Sequence, residues 1–532
     1  MSMNRLNFFF ASYVLAGALD AQQATWMTSS PVGYPTNLSN NQMPMQTLAS
    51  APGRLVAARW LYLQGAGDTE YYGAVMLEAI DPATGSTLVS CPLMDTVEVT
   101  AIAVDPAGIA YIAGGFKGAV LELCDGSQLP GKDPSELTGI NGENHFLLAW
   151  DLSSGAPLWV RNISMSRPSC YLIPSLALDP QGRPWYLVNE SGGMGYLVRV
   201  DVSGNDVEAR EIGSDIFGLS TLSFDPWGGA YVSGACGAGM FTFGGQDFPV
   251  ESGYNTFLLR YKPDGSAGFV EFMTEGTGQN RTVVASADGY AYLAGMEAFG
   301  HDLFLLKVDS MGQFQWGLES QPMSGIFSPH YINRANGPCI TLDADNNVYL
   351  IASVLGVVDW GNGVFSYGQD VTTARRSLTV VAFDPSGIPQ WAVTSGPSSW
   401  NVWGGGTATA MAEPGSVHFI THAADSLSMG PLTAGGEGLS VIWGRISEFA
   451  TGQESAVDAP GLQNWPNPTS DVLFVEWPGS TVISGALLNS AGQLVERIDL
   501  APGRNAVDVQ GLPAGLYLLR LVDGSATRVI VE

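Results

Sequence analysis

The chain has 532 residues, 45% of them hydrophobic and 14% charged, with 66 glycines spread along its length. That composition excludes a disordered chain and describes a globular one with many tight turns, long enough for two or three domains or one large repeat fold with an appendage. The formal net charge of −28 excludes nucleic acid as a partner, because phosphate backbones repel so acidic a surface. It suits a soluble extracellular protein and offers carboxylates to Ca²⁺.

The N-terminus predicts a secretory signal peptide over residues 1–21. Arg5 supplies the positive start, "LNFFFASYVLAGAL" (6–19) the apolar stretch, and small residues follow. Cleavage after Ala18 or Ala21 leaves a mature chain that starts just before Trp26. The apolar run is shorter than the ~20 residues a bilayer span needs, and no other segment is long and apolar enough, so no transmembrane span is expected.

Repeats follow. "TLASAPGRLVAA" (47–58), "AIAVDPAGIAYIAG" (101–114), "SLALDPQGRPWYLV" (175–188), "TLSFDPWGGAYVSG" (221–234), "TVVASADGYAYLAG" (282–295), "ITLDADNNVYLIAS" (340–353) and "TAMAEPGSVHFIT" (409–421) share one plan. An alternating apolar run leads to a four-residue turn and a second run. In the clearest copies Asp can accept a backbone N–H at the first turn position and Pro presets φ at the second. The last position, which must tolerate positive φ, is Gly53, Gly108, Gly182, Gly228, Gly289, Asn346 or Gly415. Seven β-hairpins at a step of about 60 residues are predicted.

A second hairpin follows the first, as in "FLLAWDLSSGAPLWV" (146–160), "FLLRYKPDGSAGFVEF" (257–272), "LFLLKVDSMGQFQW" (303–316) and "LTVVAFDPSGIPQW" (378–391). Its first strand is apolar nearly throughout, as a strand buried on both faces must be. Two hairpins make a four-stranded unit, and seven such units predict a seven-bladed β-propeller over residues 22–447. A string of β-sandwich modules needs about 100 residues per module and fits the step less well. Several repeats end in a Trp-led strand, "LWVRNIS" (158–164), "QWGLES" (315–320) and "QWAVTSG" (390–396), but the last runs through "LSVIWGRI" (439–446) and stops. The missing piece is at the mature N-terminus, "TWMTSSP" (25–31), which is expected to close the last blade beside 439–446.

Catalytic chemistry is sparse. The five cysteines, Cys91, Cys124, Cys170, Cys236 and Cys339, form no C-x-x-C pair; one disulfide is allowed, and spacing does not assign it. His418 and His422 in "HFITH" share one face of a strand, without the Glu a zincin motif requires. Asp343, Asp345 and Asn347 alternate like the opening of a Ca²⁺ loop, and they are the weak metal candidates. Val348 and Val354 stand where that loop needs Gly and a bidentate Glu, and the turn position alone explains the stretch. No catalytic residue and no cofactor other than this weak Ca²⁺ option is assigned. Trp227, Trp360, Trp400 and Trp403 could stack on sugars, although a Trp in a β-protein more often belongs to the core. A glycosidase pair of carboxylates can converge from separate blades without any linear motif.

After Arg445 the repeat stops. Residues 448–461 are polar and small, without periodicity, and read as a linker. In the last segment, 462–532, "NPTSD" (467–471) is turn chemistry and "VLFVEW" (472–477) a strand. "GALLNSAGQLVERIDL" (485–500) is a hairpin, and further strands run to the end. The expected fold is a small antiparallel, Ig-like β-sandwich, so the whole chain is all-β.

Two resemblances complete the sequence picture. The "D-P-x-G-x-x-Y-v-x-G" pattern over roughly 45–447 resembles the β-propeller repeats of secreted bacterial proteins. The segments "PNPTSDVL" (466–473), "LLNSAGQLV" (487–495), "LPAGLYLLRL" (512–521) and "RVIVE" (528–532) resemble the type A C-terminal sorting domain of the bacterial type IX secretion system. The residues that carry that motif are Pro466, Asn467, Pro468, Gly492, Gly515 and Tyr517, with Arg528 where the family often has Lys. The resemblance implies passage through the periplasm and across the outer membrane by the type IX secretion machinery. It also implies removal of the domain by a sortase-like protease, with release or attachment at the surface. The delivered propeller is expected to be a binding or surface-interaction protein for a glycan or protein ligand. The alternatives are an extracellular hydrolase or lyase acting on polysaccharide or protein, and a structural adhesin component.

Overall fold

A computed structural model describes residues 22–31, 47–61, 64–65, 71–137, 143–251, 255–273, 282–296, 303–319, 321–322, 327–328, 339–354, 356–368, 377–396, 408–413, 416–423, 426–430, 432–436, 439–448, 463–489, 494–521 and 526–531. The signal-peptide segment, the linker from residue 449 onward, Trp400, Trp403, Gly415 and Gly492 lie outside the described residues. The contacts divide the chain into two compact units, one of which is Gln22–Glu448 and the other of which includes the C-terminal strands.

In the first unit the described strands form antiparallel sheets on a four-stranded plan, some extended by short extra strands and two merged into one ten-stranded sheet through Thr87–Val104. The second sheet shows the plan. The distal half of Thr87–Val104 pairs with Ile109–Phe116, which pairs with Asn144–Asp151, which pairs with Pro157–Asn162. The proximal half of Thr87–Val104 is also the outermost strand of the first sheet, paired with Tyr71–Ile80. The innermost strands touch in a closed cycle: Thr47–Ala51, distal Thr87–Val104, Leu176–Leu178, Ile216–Phe224, Thr282–Ala285, Ile340–Leu342, Ala408–Glu413, and back to Thr47–Ala51. This arrangement is a β-propeller.

The turns are where sequence dictates shape. Gly53, Gly108, Gly182, Gly228, Gly289 and Asn346 all have φ between +62° and +96°. Asp105, Asp179, Asp225 and Asp343 each accept backbone N–H groups four residues ahead, which fixes the tight hairpin. Hydroxyls link neighbouring blades near the axis. Ser175 accepts from the Leu222 amide at 3.0 Å, Thr221 from Val283 at 2.7 Å and Ser223 from Ala285 at 2.9 Å. These bonds satisfy backbone donors that no strand reaches.

Larger side chains bridge the blades farther out. The Trp159 indole donates to the Val202 carbonyl at 3.0 Å, and Trp316 donates to Pro385 at 3.1 Å. Each indole lies on a positive-φ glycine of the next blade's outer turn, Gly204 and Gly387 respectively. The last sheet, Ala408–Glu413, Ser416–Ala423 and Ser440–Glu448, takes its fourth strand from Gln22–Pro31, with Trp26 opposite Arg445 and Ser30 opposite Val441. One disulfide, Cys91–Cys124, ties the outermost strand of the first blade to the excursion from the second. Cys170, Cys236 and Cys339 are buried thiols.

The C-terminal strands form two sheets. Gln463–Trp465, Val472–Trp477 and Gly503–Asp508 make one; Leu494–Leu500, Ile483–Asn489, Gly515–Leu521 and Ala526–Val531 make the other. Leu473, Val475, Leu487, Leu500, Leu519 and Val529 fill the space between them, so the module is a small antiparallel β-sandwich with its own core.

Candidate functional site

The Asn-Pro opening of the sandwich is a clasp on its last strand. Asn467 Oδ1 accepts the Ile530 amide at 2.8 Å, and the Thr469 amide donates to the Ile530 carbonyl at 2.8 Å. Thr469 also bridges Val531 in parallel, and Asn464 Nδ2 donates to Thr527 Oγ1 at 3.0 Å. The Asn467 side chain and the Thr469 backbone thus satisfy both backbone groups of Ile530 on the edge of Ala526–Val531, and the Asn464 side chain holds the Thr527 hydroxyl on the same strand. Pro466 and Pro468 flank Asn467 and are exposed. Proline has no N–H to satisfy, so the segment crosses the strand edge without stranding a donor.

The other motif residues support the same end. Gly515 starts the strand beside Ala526–Val531, opposite Val531. Tyr517 is buried and donates its hydroxyl to the Pro513 carbonyl at 2.7 Å, closing the loop before that strand. On the smaller sheet the Arg504 guanidinium sits 3.8 Å from the Phe474 ring centroid and 5.2 Å from that of Trp465.

The remaining sequence candidates lie in the propeller. Asp343 Oδ1 accepts the amides of Asp345 and Asn347 at 2.9 and 2.8 Å, while Oδ2 accepts from Asn347 Nδ2 and the Tyr349 hydroxyl. Its oxygens therefore serve the turn, and among the described residues no group of three or more His, Cys, Asp or Glu could hold a metal. His418 occupies the place that Tyr111, Tyr292 and Tyr349 hold in other blades, beside Trp26 with ring centroids 6.0 Å apart. Its Nε2 lies 3.0 Å from the Pro82 carbonyl oxygen, and both His418 and His422 are buried. Trp360 is a core residue that donates to Ser366 Oγ, whereas Trp227 is 60% exposed and rests on Gly289.

The two ends of the propeller differ. Among the described residues the Asp-led turns that close the hairpins lie at one end of their sheets. The other end carries the connections between second and third strands, and there, among the described residues, four small hairpins are added. They are Val120–Glu122 with Gln128–Pro130, Gly239–Phe243 with Gln246–Val250, Val357–Gly361 with Val364–Tyr367, and Leu427–Met429 with Leu432–Ala434. At that end of the second blade Glu98 and His145 stand in register on either side of Gly115. A Cβ on Gly115 would lie 3.3 Å from Glu143 Oε2 and 3.5 Å from His145 Nδ1. Lys117 Nζ lies 3.9 Å from Glu143 Oε1. Glu98, Glu143 and His145 are all buried. Linear inspection missed this cluster because its members come from three strands and a loop.

Residues 463–532 match the family model of the secretion system C-terminal sorting domain. The tail is a type IX secretion sorting domain, and it marks the chain for export to the cell surface or beyond. A curated relative, beta-agarase A of Zobellia galactanivorans, is 32% identical over 69 residues, which is 13% of each chain, so the chain spans 13% of that relative's length. Among solved structures, PorZ, a surface component of the type IX secretion system of Porphyromonas gingivalis, is 11% identical with a TM-score of 0.31, over 92% of this chain and 70% of that one. The WD40 domain of Toxoplasma gondii coronin is 11% identical with a TM-score of 0.40, over 82% of this chain and 91% of that one. Scores this low carry no weight for function. Among the described residues no helix is long and apolar enough to cross a membrane.

Proposed function

We propose that the chain is a secreted or cell-surface propeller whose delivered part binds a glycan or protein ligand. Residues 1–21 are its signal peptide, 22–447 the propeller, 448–461 a linker and 462–532 the sorting domain. The type IX machinery moves it across the outer membrane, and a sortase-like protease removes the tail. The observation that carries the reading is the sorting-domain match at 463–532, together with the clasp that joins its first and last motifs. The concentration of added hairpins at one end of the propeller supports ligand binding there, since binding residues gather on loops held by a rigid scaffold. The test is a glycan and peptide binding panel on the purified protein. Selective binding that is lost on exchanging the hairpin Gly239–Phe243/Gln246–Val250 for a short turn supports the proposal. Binding unaffected by changes at that end contradicts it.

A second reading, a hydrolase or lyase, draws on one observation: Glu98, Glu143 and His145 are buried together around Gly115. Carboxylates near an imidazole are acid–base chemistry. Turnover of a polysaccharide or peptide that disappears in Glu143→Gln, with melting unchanged, would favour this reading over a binding protein. A structural adhesin component, the third alternative, predicts neither selective ligand nor turnover.

A further inference from the structure

The larger sheet of the C-terminal module has one face in the core and one outside. The inner positions are Leu487, Ile498, Leu500, Leu519 and Val529. On the outer face the registers lay down two rows. Leu488 stands opposite Leu518, whose register partner on the last strand is Arg528, with Ile530 on the diagonal; Leu518 is 37% and Ile530 42% exposed. In the adjoining row Arg497 and Arg520 flank Ala486 from the two sides, and both arginines are exposed.

These arginines differ from those of the propeller. Arg59, Arg161, Arg167, Arg199 and Arg260 each lie within 4.0 Å of a carboxylate. Among the described residues no carboxylate lies that close to Arg497 or Arg520. Asp499, an acidic neighbour on the same face, is engaged by Ser484 Oγ at 2.6 Å. A chain of net charge −28 is repelled at long range by an acidic partner unless it offers a local cationic patch. Here that patch adjoins an apolar row.

We propose that this outer face is where the sorting domain docks on the export machinery, against a protein surface that carries carboxylates around an apolar patch. The proposal rests on the sorting function of the tail. The arginine row supplies attraction through its positive charge, and the Leu488–Leu518–Ile530 row supplies burial. By strand spacings the face measures about 20 by 15 Å, the size of a transient contact rather than a permanent one. A tail that must let go of its carrier needs such a contact.

The experiment follows the extracellular and periplasmic shares of the full chain in producing cells, with melting temperatures of the purified variants. Four forms accompany the wild type: R497E/R520E, R497K/R520K, R497A/R520A, and a chain truncated after Glu448. The charge reversal is expected to cut the extracellular share at least tenfold and fill the periplasm. The alanine pair should shift the same way, and the lysine pair should retain most of the export. If truncation traps the protein while the reversed and alanine pairs leave normally, the tail is the signal but this face is not its dock. Lysine variants as defective as the glutamate ones would also overturn the proposal, because charge would then not be the determinant. Normal export of the truncated chain would instead overturn the sorting function on which it rests. Should the glutamate pair melt early, the alanine pair decides.

Discussion

The Trp26 indole donates to the Pro82 carbonyl at 3.0 Å, and its ring lies over Gly85. Trp159 with Val202 and Gly204, and Trp316 with Pro385 and Gly387, make the same joint between consecutive blades. The joint between the last blade and the first is therefore built like the others, with the N-terminal strand supplying the indole. Closing the ring with a strand from the opposite end of the chain pairs the edge that Ser440–Glu448 would otherwise expose.

Trp26→Ala is expected to destabilise the propeller by roughly 2–4 kcal/mol, since a half-buried indole and its hydrogen bond are lost together. Removing residues 22–31 should cost more, because the whole ladder to Ser440–Glu448 goes with it. Thermal melts of both variants check this. A truncated protein that melts with the wild type would show that the strand does not close the ring.

Gly387 tests the other half of the joint. Its φ is +82°, and a Cβ there would lie 2.7 Å from the Trp316 ring. Gly387→Ala should therefore lower stability by about 1–3 kcal/mol through backbone strain and steric conflict. Gly53→Ala, at φ +72° with open space around it, should cost less. The difference between their melting temperatures isolates the steric part.

The disulfide closes a loop with a sequence separation of 33 residues. Chain-entropy reasoning gives it about 4 kcal/mol of stabilisation. The double variant Cys91→Ser/Cys124→Ser should melt lower by an amount of that order, and reductant should lower the wild type but not the variant.

Much of the fold was legible because its determinants are local. Asp accepting amides four residues ahead and a positive-φ residue closing the turn are properties of five consecutive residues, so the hairpins could be read directly. The Trp-led strand "TWMTSSP" was legible because a periodic plan makes a gap visible. In the sequence His418 has no role beyond a strand face shared with His422, whereas its ring beside Trp26 makes it a substitute for the tyrosine of the other blades. The buried cluster of Glu98, Glu143 and His145 was not legible, since no pattern joins a strand start, a loop end and a third strand. The clasp between Asn467 and Ile530 spans 63 residues, and the sequence showed both ends as motifs without showing that they touch.

Acid should weaken the turns. Hydrogen bonds from the Ser153 hydroxyl and amide and from Ser154 hold the Asp151 carboxyl down at about 2. Asp125 and Asp264 are lowered by Ser127 and Ser266 in the same manner. A carboxylate depressed in the folded state stabilises above its unfolded pKa, near 3.9, and that contribution disappears as pH falls through the folded value. Melting temperature should therefore drop between about pH 4 and pH 2, and Asp151→Asn should show a shallower drop. A variant with an unchanged pH slope would mean that these turns do not couple to unfolding.

The clasp itself predicts that Asn467→Ala leaves the Ile530 amide without its side-chain acceptor. That amide is near solvent, so the loss should be only about 1 kcal/mol. A larger fall in export than in stability would mark the clasp as part of what the machinery recognises. Equal falls would make it purely structural.

The central claim is that the C-terminal sandwich, not the propeller, carries the protein out of the cell. The most direct measurement compares the full chain with one truncated after Glu448, scoring the amount in the periplasm, on the surface and in the medium, with a melt of the truncated protein to show that the propeller is folded. The predicted result is a folded propeller held in the periplasm and absent outside. Truncated protein reaching the surface or medium in the same yield as the full chain would contradict it.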